Sequence, residues 1–326
     1  MNRWIGRLCM SAAMVAATAG LSAAQDTPQQ PNPPAPEESR TFAPVPRLAR
    51  GQVYRYQTRQ SITMQFRVDK TAYGFNSGLD VTLRYRVQEV RPDGTVTLAA
   101  LFDGGQLIDV QSQVKVQEKE RDDYPRTATL DRALRVLSVQ DRGRARRKDG
   151  QMDWFSDVNL LVPLHFLPLP DKAVRTGDTW NVTDPVPGAG NEKRQDRGNE
   201  KPSEEKREAR ATLTLLGTDR LGNQETVKIK HLLTIPIEAW TDREGRATTD
   251  PKKAEGKLFG QLSYGQIAHV EPQTGLILRS EGQIQGDIRF EGVLAKMMPS
   301  DVMTIEGEFL TIRLEEAKEK DTTTGK

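Results

Sequence analysis

Three histidines, His165, His231 and His269, are the imidazoles of this chain, and Cys9 is its one thiol. Imidazoles that hold a metal on a helix need close, same-face spacing, and these three have none; no second cysteine helps them. His231 falls in phase with Ile229 and Leu233, which reads as a core-facing histidine with a local partner. Ser203-Glu204-Glu205-Lys206 matches the S-x-x-K string of penicillin-recognising serine enzymes, but it sits in a charged stretch and no K-T-G follows. Asp153 and Asp157 frame Trp154 at i, i+4, a spacing that suits an exposed helix start better than an acid/base pair. Asp93, Asp103, Asp141, Asp219 and Asp242 sit at expected turns, where aspartate serves the backbone. The sequence thus offers no catalytic residues, no metal ligands and no cofactor. What remains are large aromatics able to floor a ligand groove: Trp154, Trp180, Trp240 and Tyr264, with Tyr54 and Tyr85 beside them.

The ends of the chain frame where such a groove would work. Met1–Arg7 carries two arginines and no acid, Leu8–Leu21 is apolar and Ala-rich, and Ser22-Ala23-Ala24 offers small residues before a cut at Gln25. Basic, apolar, small is the order a signal peptidase reads, so residues 1–24 are expected to be a cleaved export signal. The apolar run is shorter than the roughly 17–25 residues of a membrane span, and no transmembrane span is expected after cleavage. Removing Arg3 and Arg7 from 47 basic residues leaves 45 against 45 acidic ones, a neutral chain without cysteine. That balance argues against nucleic acid as a partner, since such affinity comes largely from neutralised phosphates. Residues 25–46 are rich in Pro, Gln and Glu and read as a disordered linker. The body is expected over 47–316, followed by a disordered tail at 317–326.

Within that body the apolar residues recur with period two. Ile62, Met64, Phe66 and Val68 alternate with Thr63, Gln65 and Arg67; Val81, Leu83, Tyr85 and Val87 alternate with Thr82, Arg84 and Arg86. Pro92-Asp93-Gly94 turns the chain into Val96, Leu98 and Ala100, the strongest hairpin signal present. Val227, Ile229, Leu233, Ile235 and Ile237 share a face opposite Lys228, Lys230 and Thr234, and a loop at Glu271–Gly275 joins two further strands. Met303, Ile305 and Phe309 start a strand whose apolar phase passes to Leu310, Ile312 and Leu314, which predicts a bulge near Glu308. Arg126–Gln140 fits a helix through Leu130, Leu134 and Leu137 and a strand through Thr127, Thr129, Val136 and Val139; the turn-like Asp141-Arg142-Gly143 favours the strand. A short helix is expected over Trp154–His165. Gly188–Arg210 has 13 charged residues in 23 and reads as a solvated flexible loop.

Gly51-Gln52-Val53-Tyr54 resembles Gly177-Asp178-Thr179-Trp180, an internal echo that predicts two related halves. Together with Leu48–Tyr56 (LARGQVYRY), Leu167–Trp180 (LPLPDKAVRTGDTW) and Tyr264–Gly282 (YGQIAHVEPQTGLILRSEG), this pattern resembles the uncharacterised exported β-rich proteins of planctomycete-type bacteria. The last stretch is similar to the strand-turn-strand repeats of lipoprotein-carrier-like half-barrels. The resemblance implies fold and supplies no functional residues. The expectation is a mainly β protein: an antiparallel curved sheet or partial β-barrel with one short helix. Its expected role is that of an exported, periplasmic or extracellular, non-enzymatic envelope protein binding an apolar ligand or a protein segment. A structural component of envelope assembly and a secreted hydrolase are the alternatives.

Overall fold

Alternation decides which side of each strand the chain buries, and the computed structural model of the chain follows it closely. The structure describes residues 41–68, 71–109, 113–115, 126–141, 158–185, 208–244, 247–248 and 254–315. Its strands are β1 (Val53–Val68), β2 (Thr71–Val90), β3 (Val96–Asp109), β4 (Gln113–Lys115), β5 (Arg126–Leu130), β6 (Val136–Asp141), β7 (Thr179–Pro185), β8 (Glu208–Leu221), β9 (Gln224–Thr241), β10 (Ala247–Thr248), β11 (Gly256–Val270), β12 (Ile277–Gly292) and β13 (Val302–Leu314). Among the described residues two short helices, α1 (Val158–His165) and α2 (Val293–Met297), complete the elements.

All thirteen strands belong to one antiparallel sheet, in the order β6-β5-β3-β2-β1-β13-β12-β11-β9-β8-β7, with β4 beside β3 and β10 beside β9. The sheet curls until its edge strands β6 and β7 have Cα atoms within 8 Å of each other. Among the described residues β6 pairs with β5 alone and β7 with β8 alone, so the curl stops short of a closed barrel. Tight curvature needs positions without a side chain: a Cβ on Gly260 would collide with the backbone oxygen of Asp287 on β12.

The inner face is one continuous apolar core. Ile62 and Phe66 of β1, Ile235 of β9, Leu262 and Tyr264 of β11, Ile284 and Ile288 of β12 and Ile305 of β13 are all buried there. Fully burying each such aliphatic side chain stabilises the fold by roughly 1.5–3 kcal/mol. The outer face is polar and laced with ion pairs, Arg55–Asp103 at 2.6 Å and Lys257–Glu238 at 2.8 Å among them. Residues 161–169, the end of α1 and the chain beyond it, are buried throughout and plug the core. They also stitch the seam: the Leu169 N–H donates to the Ala133 carbonyl in the β5–β6 turn at 2.8 Å. On the other edge, the Trp180 indole of β7 donates to the Pro168 carbonyl at 3.0 Å.

The internal echo is a repeated turn. Gly51 and Gly177 hold φ at 89° and 91°, in the left-handed region that favours glycine. The Gly51 N–H donates to Val87 O and the Val87 N–H to Gln52 O; the Gly177 N–H donates to Leu215 O and the Leu215 N–H to Asp178 O. The side chains of Gln52 and Asp178 then accept from the backbone N–H three residues earlier, at Ala49 and Arg175. Register shifts follow at matching places, between Val87 and Glu89 and between Leu215 and Gly217. β1-β2-β3-β5-β6 and β7-β8-β9-β11-β12 are therefore built alike, and β13 joins them.

Three local expectations change. Arg126–Gln140 is neither one strand nor a helix but the β5–β6 pair, turning at Asp131–Arg135 with Leu134 at φ 61°. No bulge interrupts β13, which pairs in continuous register with β1 and β12. Its second apolar phase, Leu310, Ile312 and Leu314, lies on the outer face, where neighbours such as Arg59, Gln57 and Arg55 flank it in register and long stems shelter it. Phe42, inside the stretch read as linker, is buried and pairs with Val174. The expected helix is described from Val158, and of the charged stretch Glu208–Arg210 belongs to β8 while 188–207 lies outside the described residues.

Candidate functional site: a polar track across the inner face

A line of polar side chains crosses the apolar inner face. Register places Thr58 of β1 opposite Thr311 of β13, and Thr311 opposite Ser280 of β12. Gln266 lies on the same face of β11, two residues from the partner of Ser280, and directly opposite His231 of β9. Thr58, Thr311 and Ser280 are wholly buried, and Gln266 and His231 nearly so.

The imidazole at the β1 end of this track is saturated. His165, at the end of α1, meets the Thr58 hydroxyl through Nε2 at 2.7 Å and the Tyr85 hydroxyl through Nδ1 at 2.8 Å. Thr58 also meets Thr311 at 3.0 Å. The ring of Tyr56 stacks on His165 with centroids 4.9 Å apart, and Phe166 meets Tyr85 edge-on at 5.0 Å. Burial in this aromatic box lowers the His165 pKa to about 3, so the ring is neutral and each nitrogen has one job. Such a histidine is held as structure and has no free nitrogen for proton transfer.

The other end is not saturated. The Gln266 amide nitrogen lies 2.8 Å from His231 Nδ1. His231 Nε2, Gln266 Oε1 and Ser280 Oγ are buried without a hydrogen-bond partner, as is the Tyr56 hydroxyl. Burial lowers the His231 pKa to about 3 as well, and pushes the phenols of Tyr56 and Tyr264 well above their ordinary range. An orphaned buried polar atom costs about 1–3 kcal/mol, so this cluster stands apart from the paired polar groups of the core.

Among the described residues the aromatics picked out by sequence are not brought together. Tyr264 is on the inner face, buried, with its ring 6.2 Å from Phe309. Trp180 lies on the inner face of edge strand β7, half-buried and bonded to Pro168. Trp240 occupies the outer face of β9, with the Lys257 ammonium 4.7 Å from its ring centroid. Trp154 lies outside the described residues. Strand parity separates Trp240 from the rest: it shares even numbering with Lys228 and Lys230, which the sequence already assigns outward. Sequence reasoning missed Ser280 and Gln266, since only nonlocal register sets them beside His231.

At the end of the sheet where β1 meets β2, the inner face is open to solvent. Tyr73 and Phe75 are 51 % and 46 % exposed, yet they sit in phase with the buried residues of β2. Phe75 meets Phe66 edge-on at 5.8 Å, and Phe66 stacks on Phe290 at 6.2 Å, so the exposed rings are continuous with the core.

His269 is the remaining imidazole. Its Nδ1 lies 3.3 Å from the Thr226 hydroxyl and 3.9 Å from the Asp219 carboxylate, which Lys228 also holds at 2.7 Å. The Lys228 ammonium keeps that carboxylate below its usual range. Hydroxyl and carboxylate approach the same ring nitrogen, whereas a nucleophile–base–orienter relay needs them on opposite ones. Among the described residues no group of His, Cys, Asp and Glu side chains could hold a metal ion, and no helix is long and apolar enough to cross a membrane.

No protein-family model and no curated protein matches the chain. Among solved structures it is similar to a DUF1329 family protein from Desulfovibrio piger, at 11 % identity and a TM-score of 0.17, over 80 % of this chain and 85 % of that one. A likeness at that score carries no argument, and none of these comparisons supports the planctomycete-type resemblance.

Proposed function

We propose that this protein is a non-enzymatic binding protein of the cell envelope, acting after export, that holds an apolar ligand of lipid type against the inner face of its curled sheet. The observation that carries the reading is the aromatic opening: Tyr73 and Phe75 present apolar surface to solvent that runs unbroken into Phe66 and Phe290. Single exposed apolar residues are ordinary, but exposed aromatics on the core-facing side of a sheet mark a place where something else is buried.

Native mass spectrometry of the full chain, purified gently from an exported preparation, tests the reading. A reproducible added mass of a few hundred daltons, released on denaturation, is the expected result. An apo protein that also fails to take up decane or decanol would overturn it. An added mass of peptide size would replace the lipid with a protein segment as the guest.

A further inference from the structure

The unpaired atoms of the polar track say what kind of group that guest carries. His231 Nε2, Gln266 Oε1 and Ser280 Oγ are buried without partners on β9, β11 and β12, three consecutive strands of the sheet. With the Gln266 amide nitrogen donating to His231 Nδ1, the ring carries its proton on Nε2, a free donor, and Gln266 Oε1 is a free acceptor beside it. Turning the amide over swaps the two roles and leaves the same pairing of one donor with one acceptor. The Ser280 hydroxyl can serve as either. The inner-face positions around these three, Leu213, Ile229, Leu233, Tyr264, Ala268 and Ile284, are buried, and none is charged at neutral pH. Arg313 lies on the same face of β13, two residues beyond the Thr311 that pairs with Ser280, and its charge is already met by Glu271 at 3.7 Å.

An anion buried here would have to compete with Glu271 for the Arg313 charge, and its desolvation would go largely uncompensated. A bare hydrocarbon would leave donor and acceptor unsatisfied. We propose that His231, Gln266 and Ser280 form a recognition point for a neutral hydrogen-bonding group, a hydroxyl or an amide, on an otherwise apolar ligand. A long-chain alcohol or a neutral acylglycerol has that chemistry; a fatty-acid anion or a phosphate-bearing lipid does not. The assignment rests on the reading that the inner face holds an apolar guest.

Three ten-carbon probes separate the possibilities on the full chain: decanol, decane and decanoate. Binding is followed by calorimetry, and the histidine ring nitrogens by 15N NMR. Decanol is expected to bind at least about tenfold more tightly than decane or decanoate, since a tenfold ratio needs about one net hydrogen bond to a desolvated partner. The His231 ring signal should move on saturation, while that of His165, whose nitrogens are already occupied, should not. In the His231→Leu, Gln266→Leu double variant the preference for decanol over decane should vanish; Ser280→Ala, the milder change, should lower the preference about threefold. Equal binding of decanol and decane by the wild type, or a His231 signal unmoved at saturation, would overturn the proposal and assign the orphaned atoms to trapped water, leaving an apolar carrier intact. Failure of every probe to bind would instead remove the carrier reading and this inference with it.

Discussion

His165, which ends α1 against β1 and β2, and His231, on β9 in the other half of the sheet, are buried alike and have their pKa lowered to the same region by the same cause. They differ in what their second nitrogen does. His165 spends both on hydroxyls of β1 and β2 and carries Tyr56 on its ring. His231 spends one on Gln266 and leaves the other bare. The chain can saturate a buried imidazole, because it does so in one half. The gap in the other half is thus a property of that site and not of the fold, and the comparison separates a ring kept for packing from a ring kept for recognition.

The largest effect that would break the contrast comes from His165→Ala. It removes a stacked ring and the hydrogen bonds that ring makes to the Thr58 and Tyr85 hydroxyls, and should cost about 3–5 kcal/mol in urea unfolding. A loss under about 1 kcal/mol would show that the saturated cluster does not hold α1 in place. Acid titration comes next. The unfolded chain takes up a proton on each ring near its ordinary pKa of 6.5, while the folded chain refuses it until about 3. Stability is therefore full above about pH 6.5 and falls as pH drops toward 3, by about 2 kcal/mol per histidine at pH 5. Each single-histidine variant should lose half of that slope, measured as unfolding midpoints at pH 7.5 and 5.

A smaller change tests the matching of the halves themselves. Gly51→Ala and Gly177→Ala each place a Cβ in the left-handed region and should destabilise by about 1–2 kcal/mol, in equal measure. Unequal losses in thermal unfolding would show that the two turns, alike in geometry, carry different weight. The smallest effect is expected at the unsaturated site. His231→Leu with Gln266→Leu removes donor and acceptor together, and should change the stability of the ligand-free chain by less than about 1 kcal/mol. A loss as large as that of His165→Ala would place His231 in the structural class and dissolve the contrast.

The strands and hairpins were legible because burial on one face enforces period two, and Pro92-Asp93-Gly94 and Glu271–Gly275 use turn residues with known conformational reasons. The echo between Gly51 and Gly177 was legible because a positive φ selects glycine and the following residue's side chain caps the turn. The β5–β6 turn was not, since Leu134 takes at φ 61° the conformation that Gly275 takes at 71° in the equivalent β11–β12 turn. Leucine tolerates it there as a wholly buried side chain whose packing offsets the strain. The curled sheet itself followed from alternation, and the structure shows it. The polar track did not follow, because Thr58, Thr311, Ser280, Gln266 and His231 come together through pairings that span most of the chain. Residue type alone also grouped Trp240 with Tyr264, although its parity with Lys228 puts it on the outer face.

The position of β13 has a kinetic consequence. Read from β7 through β13 and on to β1 through β6, the sheet is a simple meander in which each strand lies beside the one before. The chain is written in another order, so the strand at the centre of the sheet is the final one of the thirteen, and Arg55 finds its partner at Leu314. Closing a loop of that length before any local reward arrives is slow. Until Val302–Leu314 docks, β1 and β12 each present an unpaired edge of sticky backbone to the surroundings, and the interval before that last zipper closes is when the molecule is most exposed to aggregation.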